Sequence, residues 1–269
     1  IYTNAFRKVT EREHIYDDSE KLWRVHNIIA KVPYLLPSVD AVSVSSTLPD
    51  HIPTTVFPTG YHPHEPSQKA VYVNQIREFE PLKGKDVEIS RLRALPHAIR
   101  IASGRTNNRK NVTISIRSSR FQEARNSDLE SWKKIALDIE ALGYEVFFIP
   151  DFEDLGQCLN DTFVAPRCLV DASSDIHLRI AYYANAKHNF CVSNGTSGLL
   201  YFSPYSFSMF GIIREGVNNC TSDFIKQSLG LSVGEKLFWL NERQHFIYSD
   251  DSYACVRKHL DTLIEMDEI

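Results

Sequence analysis

The 269-residue chain has no apolar run approaching the ~20 residues that cross a bilayer, so an ordinary membrane helix is not expected. It also lacks G-x-x-x-x-G-K-[ST], and no G-x-G-x-x-G follows a strand-like segment, which removes the usual support for an ATPase, a GTPase or a dinucleotide dehydrogenase. The five cysteines, Cys158, Cys168, Cys191, Cys220 and Cys255, are odd in number, far apart and without a C-x-x-C pair. That argues against a disulfide framework or a metal finger and for a reducing, cytoplasmic compartment. In such a compartment the N-x-T sequons at Asn111, Asn160, Asn194 and Asn219 read as chance. Ile1 opens no signal-peptide pattern, and a start other than Met suggests a trimmed or partial chain. A net charge of -4 speaks against general nucleic-acid affinity, although Arg100–Arg125 holds seven basic residues against one acid, Glu123.

What is present is enough apolar sequence, 43% hydrophobic, to bury one large core or two small ones. Leu22, Val25, Ile28 and Ile29 form one helical stripe within 19–30. The segment 39–46 alternates like a strand, 48–66 is proline-rich and aperiodic, 70–80 reads as a strand, and 90–104 as a helix opened near Pro96. From Asn111 the pattern is regular. VTISIR is strand-like, residues 126–143 make a helix capped by Asn126 or Ser127 and ended by Gly143, and YEVFFIPD is the next strand. CLVDA, HNFCVSN, SFSMFGII and the region around FWLNERQHFIY read as further strands. Helices are expected at SSDIHLRIAYYANA, TSGLLYFS, TSDFIKQSLG and DSYACVRKHLDTLIEM, the last with Asp250 and Asp251 as cap and first-turn charge. Such alternation predicts an α/β fold with a Rossmann-like parallel sheet and two regions, 1–105 and 106–269.

In a parallel sheet, ligands lie beyond the carboxyl ends of the strands. Arg117, Arg120 and Arg125 follow the strand ending at Ile116, and arginine's planar fork suits phosphate. Ser193, Asn194, Gly195, Thr196, Ser197 and Gly198 form a strand-to-helix turn with backbone freedom, capping hydroxyls and room for a diphosphate. Asp151 ends a strand, and Asp171 and Asp175 surround the next turn. Such carboxylates bind ribose hydroxyls, act as bases, hold a metal or, most simply, cap helices. His51, His62, His64 and His97 show no recognised metal spacing, so neither metal nor cofactor is expected. His177, Tyr182 and Tyr183 read as packed residues, with His177 near enough to a helix start to face the crevice.

The runs ISIRSSRFQEARNSDLESWKKIALDIEALGYEVFFIPD and DIHLRIAYYANAKHNFCVSNGTSGLLYFSP resemble the donor-binding half of GT-B-fold glycosyltransferases. The I-x-x-R spacing and the S-N-G-T-S turn are loosely similar to the fucosyltransferase-type branch, over about residues 111–260. The resemblance implies two Rossmann-like domains across a cleft and a nucleotide diphosphate near Arg117, Arg120 and the Asn194–Gly198 turn. It implies sugar transfer from a nucleotide-sugar donor to a glycan or polysaccharide acceptor, as in polysaccharide biosynthesis. Metal-independent catalysis agrees with the absence of D-x-D, the nearest approaches being Asp151-x-x-Asp154 and Asp171-x-x-x-Asp175. The glycine-rich N-terminal loop of many such enzymes is missing, which implies a reduced or truncated N-terminal half. No catalytic base is assigned. A nucleotide-sugar epimerase or hydrolase, and a non-catalytic carbohydrate- or nucleotide-binding module, stay open as alternatives; oligomeric state is not encoded in any recognisable pattern.

Overall fold

The computed structural model describes residues 17–42, 82–85, 89–107, 109–214 and 216–269. The expected strand at 70–80, the proline-rich segment 48–66 with the histidines of YHPHEP, and the second half of the alternating run at 39–46 lie outside the described residues. In chain order the described elements are α1 (Asp18–Arg24), α2 (Pro96–Arg105), β1 (Asn111–Ser115), α3 (Leu129–Ala141), β2 (Glu145–Ile149), α4 (Leu155–Asn160) and α5 (Val170–Ser174). They continue with α6 (Ile176–Asn185), β3 (His188–Val192), α7 (Gly198–Tyr201), β4 (Phe207–Phe210), α8 (Ser222–Leu229), β5 (Gln244–Phe246) and α9 (Tyr253–Glu265).

The five strands form one parallel sheet in the order β2-β1-β3-β4-β5, with Ser115 in register with Ile149 on one side and with Cys191 on the other. Strand alternation builds two cores. Val112, Ile114, Phe148, Phe190, Val192 and Phe210 face α3 and α9, where Trp132, Ile135, Ile139, Leu260 and Leu263 are fully buried. Phe147, Ile149, Cys191, Phe207 and Met209 face the other way, onto Ala98 and Ala102 of α2 and Ile176, Ile180 and Tyr183 of α6. The fold is therefore α/β with a Rossmann-like parallel sheet covered on both faces, as the alternation predicts. Leu35, Leu92 and Ala94 join this second core, so those parts of 17–105 pack onto the sheet-bearing body.

Local expectations hold or fail for identifiable reasons. Pro96 sits at the first position of α2, where its missing N–H costs nothing, and Gly143 takes φ +87° just beyond α3. The cap of α3 is Asp128, which accepts from the Ser131 N–H at 3.2 Å; Asn126 and Ser127 are instead engaged by Arg117. CLVDA is not a strand. It makes one bridge, Phe148 to Cys168, before Val170 starts α5. The last strand shrinks to three residues at the sheet edge, and Ser252, not Asp250 or Asp251, occupies the N-cap position of α9. The basic cluster of the sequence is divided by β1. Arg109 pairs with Glu145 at the amino end, while Arg117, Arg120 and Arg125 follow the carboxyl end, about 16 Å away for a five-residue strand.

Candidate functional site

The direction in which successive strands are added reverses between β1 and β3: β1's successor β2 lies on one side of it and β3 on the other. A doubly wound sheet opens its ligand crevice at that point, beyond the carboxyl ends. Three segments meet there, the 116–127 loop after β1, Pro150–Asp151 after β2, and the 193–198 turn after β3.

Arg117 is buried and acts as the hub of its loop. Its guanidinium donates to the carbonyls of Phe121 and Gln122 and to Asn126 Oδ1, and its backbone N–H donates to Ser127 Oγ at 2.8 Å. Asn126 closes the ring by exchanging bonds with the Ser119 backbone at 3.0 and 3.2 Å. Gln122 adopts the left-handed region at φ +56°, and its Oε1 accepts from both Arg125 and Asn219. Arg125 reaches across to the Ser193 carbonyl at 2.9 Å and so ties this loop to the β3 turn, while its buried Nε has no hydrogen-bond partner. Arg120 projects outward, more than half exposed, and pairs with Glu20 at 3.2 Å.

A second latch holds the loop from the β4–β5 side. Arg214 donates to the carbonyls of Ala124 and Asn126 and pairs with Asp251, which is 2% exposed. Asp251 also accepts from Trp132 Nε1 and from the Asp128 N–H, each at 2.9 Å. The residue expected to cap a helix is thus a buried carboxylate joining three elements. Gly211, at φ +67°, leaves room for it, because a Cβ there would lie 3.1 Å from Arg214 Nε.

In the β3 turn, Asn194 and Ser197 spend their side chains on the turn itself. Asn194 Oδ1 accepts from the Ser197 N–H at 2.7 Å and from Thr196 Oγ at 3.2 Å, and Ser197 Oγ donates to the Val192 carbonyl at 3.0 Å. Gly195 and Gly198 do not supply positive φ. A Cβ at either would meet open space, so these glycines leave the mouth of the crevice unfilled. The helix that follows spans only four residues, so the turn cannot rely on a substantial helix dipole.

Asp151 lies between these segments. Burial pushes its carboxyl above the ordinary value, against the nearby charges of Arg179 and Arg117 and a bond from the Ser118 N–H, and Asn194 Nδ2 approaches it at 3.4 Å. Asp175 is not brought to this group. It caps α6 by accepting from the His177 and Leu178 N–H groups and pairs with Lys31 at 3.2 Å, and His177 contacts the Lys31 carbonyl at 2.9 Å. Burial alone would raise Asp175; the His177 N–H and Lys31 bring it below the usual value.

Arg179 is the residue sequence reasoning missed. It is 1% exposed in α6 and donates to the Ala172 carbonyl at 2.9 Å, the Pro150 carbonyl at 2.8 Å and Thr196 Oγ at 2.7 Å, joining the ends of β2 and β3 beneath the crevice. The available signal was a charged residue on the apolar stripe Ile176, Ile180, Tyr183. Among the described residues no cluster of His, Cys, Asp and Glu is placed to hold a metal, and no helix is long and apolar enough to cross a membrane. Chemically, the crevice offers an exposed guanidinium, a carboxyl whose pKa is raised by burial and a hydroxyl-bearing turn over a buried cation, a set suited to a phosphorylated, hydroxyl-rich ligand.

The sequence matches no known protein family and no curated protein. Among solved structures, the chain is similar to ADP-heptose LPS heptosyltransferase II of E. coli, with 12% identity and a TM-score of 0.45. It is also similar to a glycosyl transferase family 9 protein of Veillonella parvula, with 14% identity and a TM-score of 0.44. Each likeness covers 66% of this chain and 54% of the other, so the chain spans about half the length of these structures.

Proposed function

We propose that the crevice binds the diphosphate end of a nucleotide-sugar and that the protein transfers the sugar to a glycan or polysaccharide acceptor without a metal. The observation that supports this most is the convergence, at the reversal point of the sheet, of the 116–127 loop that carries Arg120 and Arg125 with the Asn194–Gly198 turn and Asp151. Arg120 neutralises diphosphate charge, Thr196 and Gly195 present the turn's polar edge to phosphate or sugar oxygens, and Asp151 takes a ligand hydroxyl. Arg117, Arg179, Ser193, Asn194 and Ser197 hold these groups in place. In the transfer the bond from the anomeric carbon to the diphosphate oxygen breaks, the acceptor oxygen bonds to that carbon, and the acceptor's proton leaves to a base. The diphosphate departs with its charge met by arginine. In this reading residues 106–269 carry the donor site and the 1–105 region the acceptor side.

Titration calorimetry with UDP, GDP, ADP, CMP and their sugar conjugates tests the reading. One nucleoside diphosphate should bind, and Arg120→Ala should weaken it about tenfold or more, as loss of a charge-assisted hydrogen bond does. A folded protein that binds none of them would overturn it. Donor turnover that needs no acceptor would replace transfer with hydrolysis or epimerisation at the same crevice.

A further inference from the structure

The helix α1 starts well and packs poorly. Asp17 and Glu20 form a reciprocal capping box, yet none of the residues of α1 is buried. A π-helical turn, Val25–Ile29, follows directly, and from its first residue onward the segment enters the core, through Val25, Ala30 and Leu35. Single π turns are rare and lie frequently at functional sites, and here one joins the segment without buried residues to the segment that has them. The half without buried residues lies against the segments that follow β1 and β2. Glu20 Oε1 accepts from Arg120 at 3.2 Å, Arg24 pairs with Glu153 at 2.5 Å, and Trp23 stacks on Phe152 with ring centroids 4.4 Å apart. Glu153 in turn accepts from Ser119 Oγ and the Arg120 N–H, each at 3.3 Å. The arginine most exposed at the crevice is thus already paired with carboxylates of this protein, one of them on a helix held by polar and ring contacts rather than by buried side chains.

We propose that α1 is an autoinhibitory strap: Glu20 serves as a built-in anion on Arg120, and an anionic ligand displaces it as α1 swings away about the 25–29 turn. This regulation rests on the anion-binding reading of the crevice. Exposed ion pairs contribute little each, so the strap sets a threshold that a diphosphate overcomes and a weaker anion does not.

Glu20→Gln is the incisive variant, because glutamine at this position keeps the capping box while removing the charge. Circular dichroism establishes that the variant is folded. Pyrophosphate and the nucleoside diphosphates UDP, GDP and ADP are then titrated into wild type and variant while tryptophan emission is followed, with Trp23→Phe as the optical control. Pyrophosphate should bind Glu20→Gln about two- to fivefold more tightly than wild type, as expected for loss of a competing exposed pair. Saturation of wild type should change an emission component that Trp23→Phe lacks. Equal or weaker pyrophosphate affinity in Glu20→Gln, absence of pyrophosphate binding to both, or a silent Trp23 overturns the strap. If pyrophosphate shows the gain but no nucleoside diphosphate binds either form, the donor reading fails and the strap stands. If nucleoside diphosphates bind but Glu20→Gln changes nothing, the strap fails and the donor reading stands.

Discussion

The two ends of the sheet solve the burial of polar side chains in opposite ways. At the amino end, His188 is fully enclosed, with Nδ1 2.7 Å from Ser206 Oγ and Nε2 2.8 Å from Ser208 Oγ. Ser208 continues to His259 Nε2 at 2.7 Å, and His245 meets Glu268 at 3.0 Å. Burial, reinforced by His245, holds His188 well below its ordinary pKa and brings His259 down to about 4, so both imidazoles are neutral at pH 7. At the carboxyl end the charges are kept. Arg117 and Arg179 are buried among backbone carbonyls, Arg214 is paired with Asp251, and Arg120 reaches solvent. A region that hides neutral rings is built for packing, whereas one that places cations around a partly open cleft can attract an anion. That difference separates structural polarity from functional polarity within one sheet.

Breaking the carboxyl-end latch should have the largest effect. Asp251→Ala strands Arg214 and leaves Trp132 Nε1 and the Asp128 N–H without their acceptor, so urea unfolding should show a loss of about 3–5 kcal/mol. A loss under about 1 kcal/mol would mean that loops, not this carboxylate, hold the crevice. At the amino end the test is acid. The folded pKa of His259 lies below its unfolded value, so the unfolded chain binds more protons below about pH 6.5. Its contribution is complete above that pH and is lost as the pH falls towards about 4. The loss amounts to about 3 kcal/mol for a fully effective shift. The stability curves of wild type and His259→Gln should therefore converge on acidification over this window; parallel curves would remove His259 from the account.

Gly211→Ala comes next, at about 1–2 kcal/mol for a left-handed backbone whose new methyl group meets an arginine already tied to Asp251. Thermal unfolding reads it, and an unchanged Tm would show that Arg214 yields easily. The smallest effect belongs to Asp151→Asn, within about 1 kcal/mol. Because the carboxyl's folded pKa is raised, wild type is destabilised as the pH climbs through that raised value, and the asparagine variant escapes this. The variant should be as stable as wild type at pH 4, more stable at pH 8, and weaker in ligand binding. Lower stability at pH 8 would make Asp151 a structural ion.

Much of this contrast was legible in the sequence where side-chain period and burial coincide. VTISIR, YEVFFIPD and HNFCVSN announce strands because both of their faces are covered, and Arg117, Asp151 and Asn194 gather because they end adjacent strands. What escaped reading depends on partners distant in sequence. Asp251 looks like an ordinary first-turn acid until Trp132 and Arg214 are brought to it, and Arg179 looks like a misplaced charge until Pro150 and Thr196 close over it. CLVDA misled because one bridge to Phe148 satisfies its apolar start and helix α5 takes the rest. The backbone freedom read into the glycines of the 193–198 turn is not used for positive φ; what they leave is open space where a Cβ would be.

The Arg214–Asp251 latch also dictates an order of events during synthesis. The β1–α3–β2 unit is contiguous and can form as soon as it emerges, with the Arg117 loop already closed on itself. Asp251 follows Arg117 by 134 positions (251 − 117), on the order of ten seconds of translation. Throughout that interval Trp132 and the start of α3 lack the acceptor that later joins them, so the first strands are in place before the mouth they carry is tied down. The crevice is tied down by a segment that emerges long after the loop it holds.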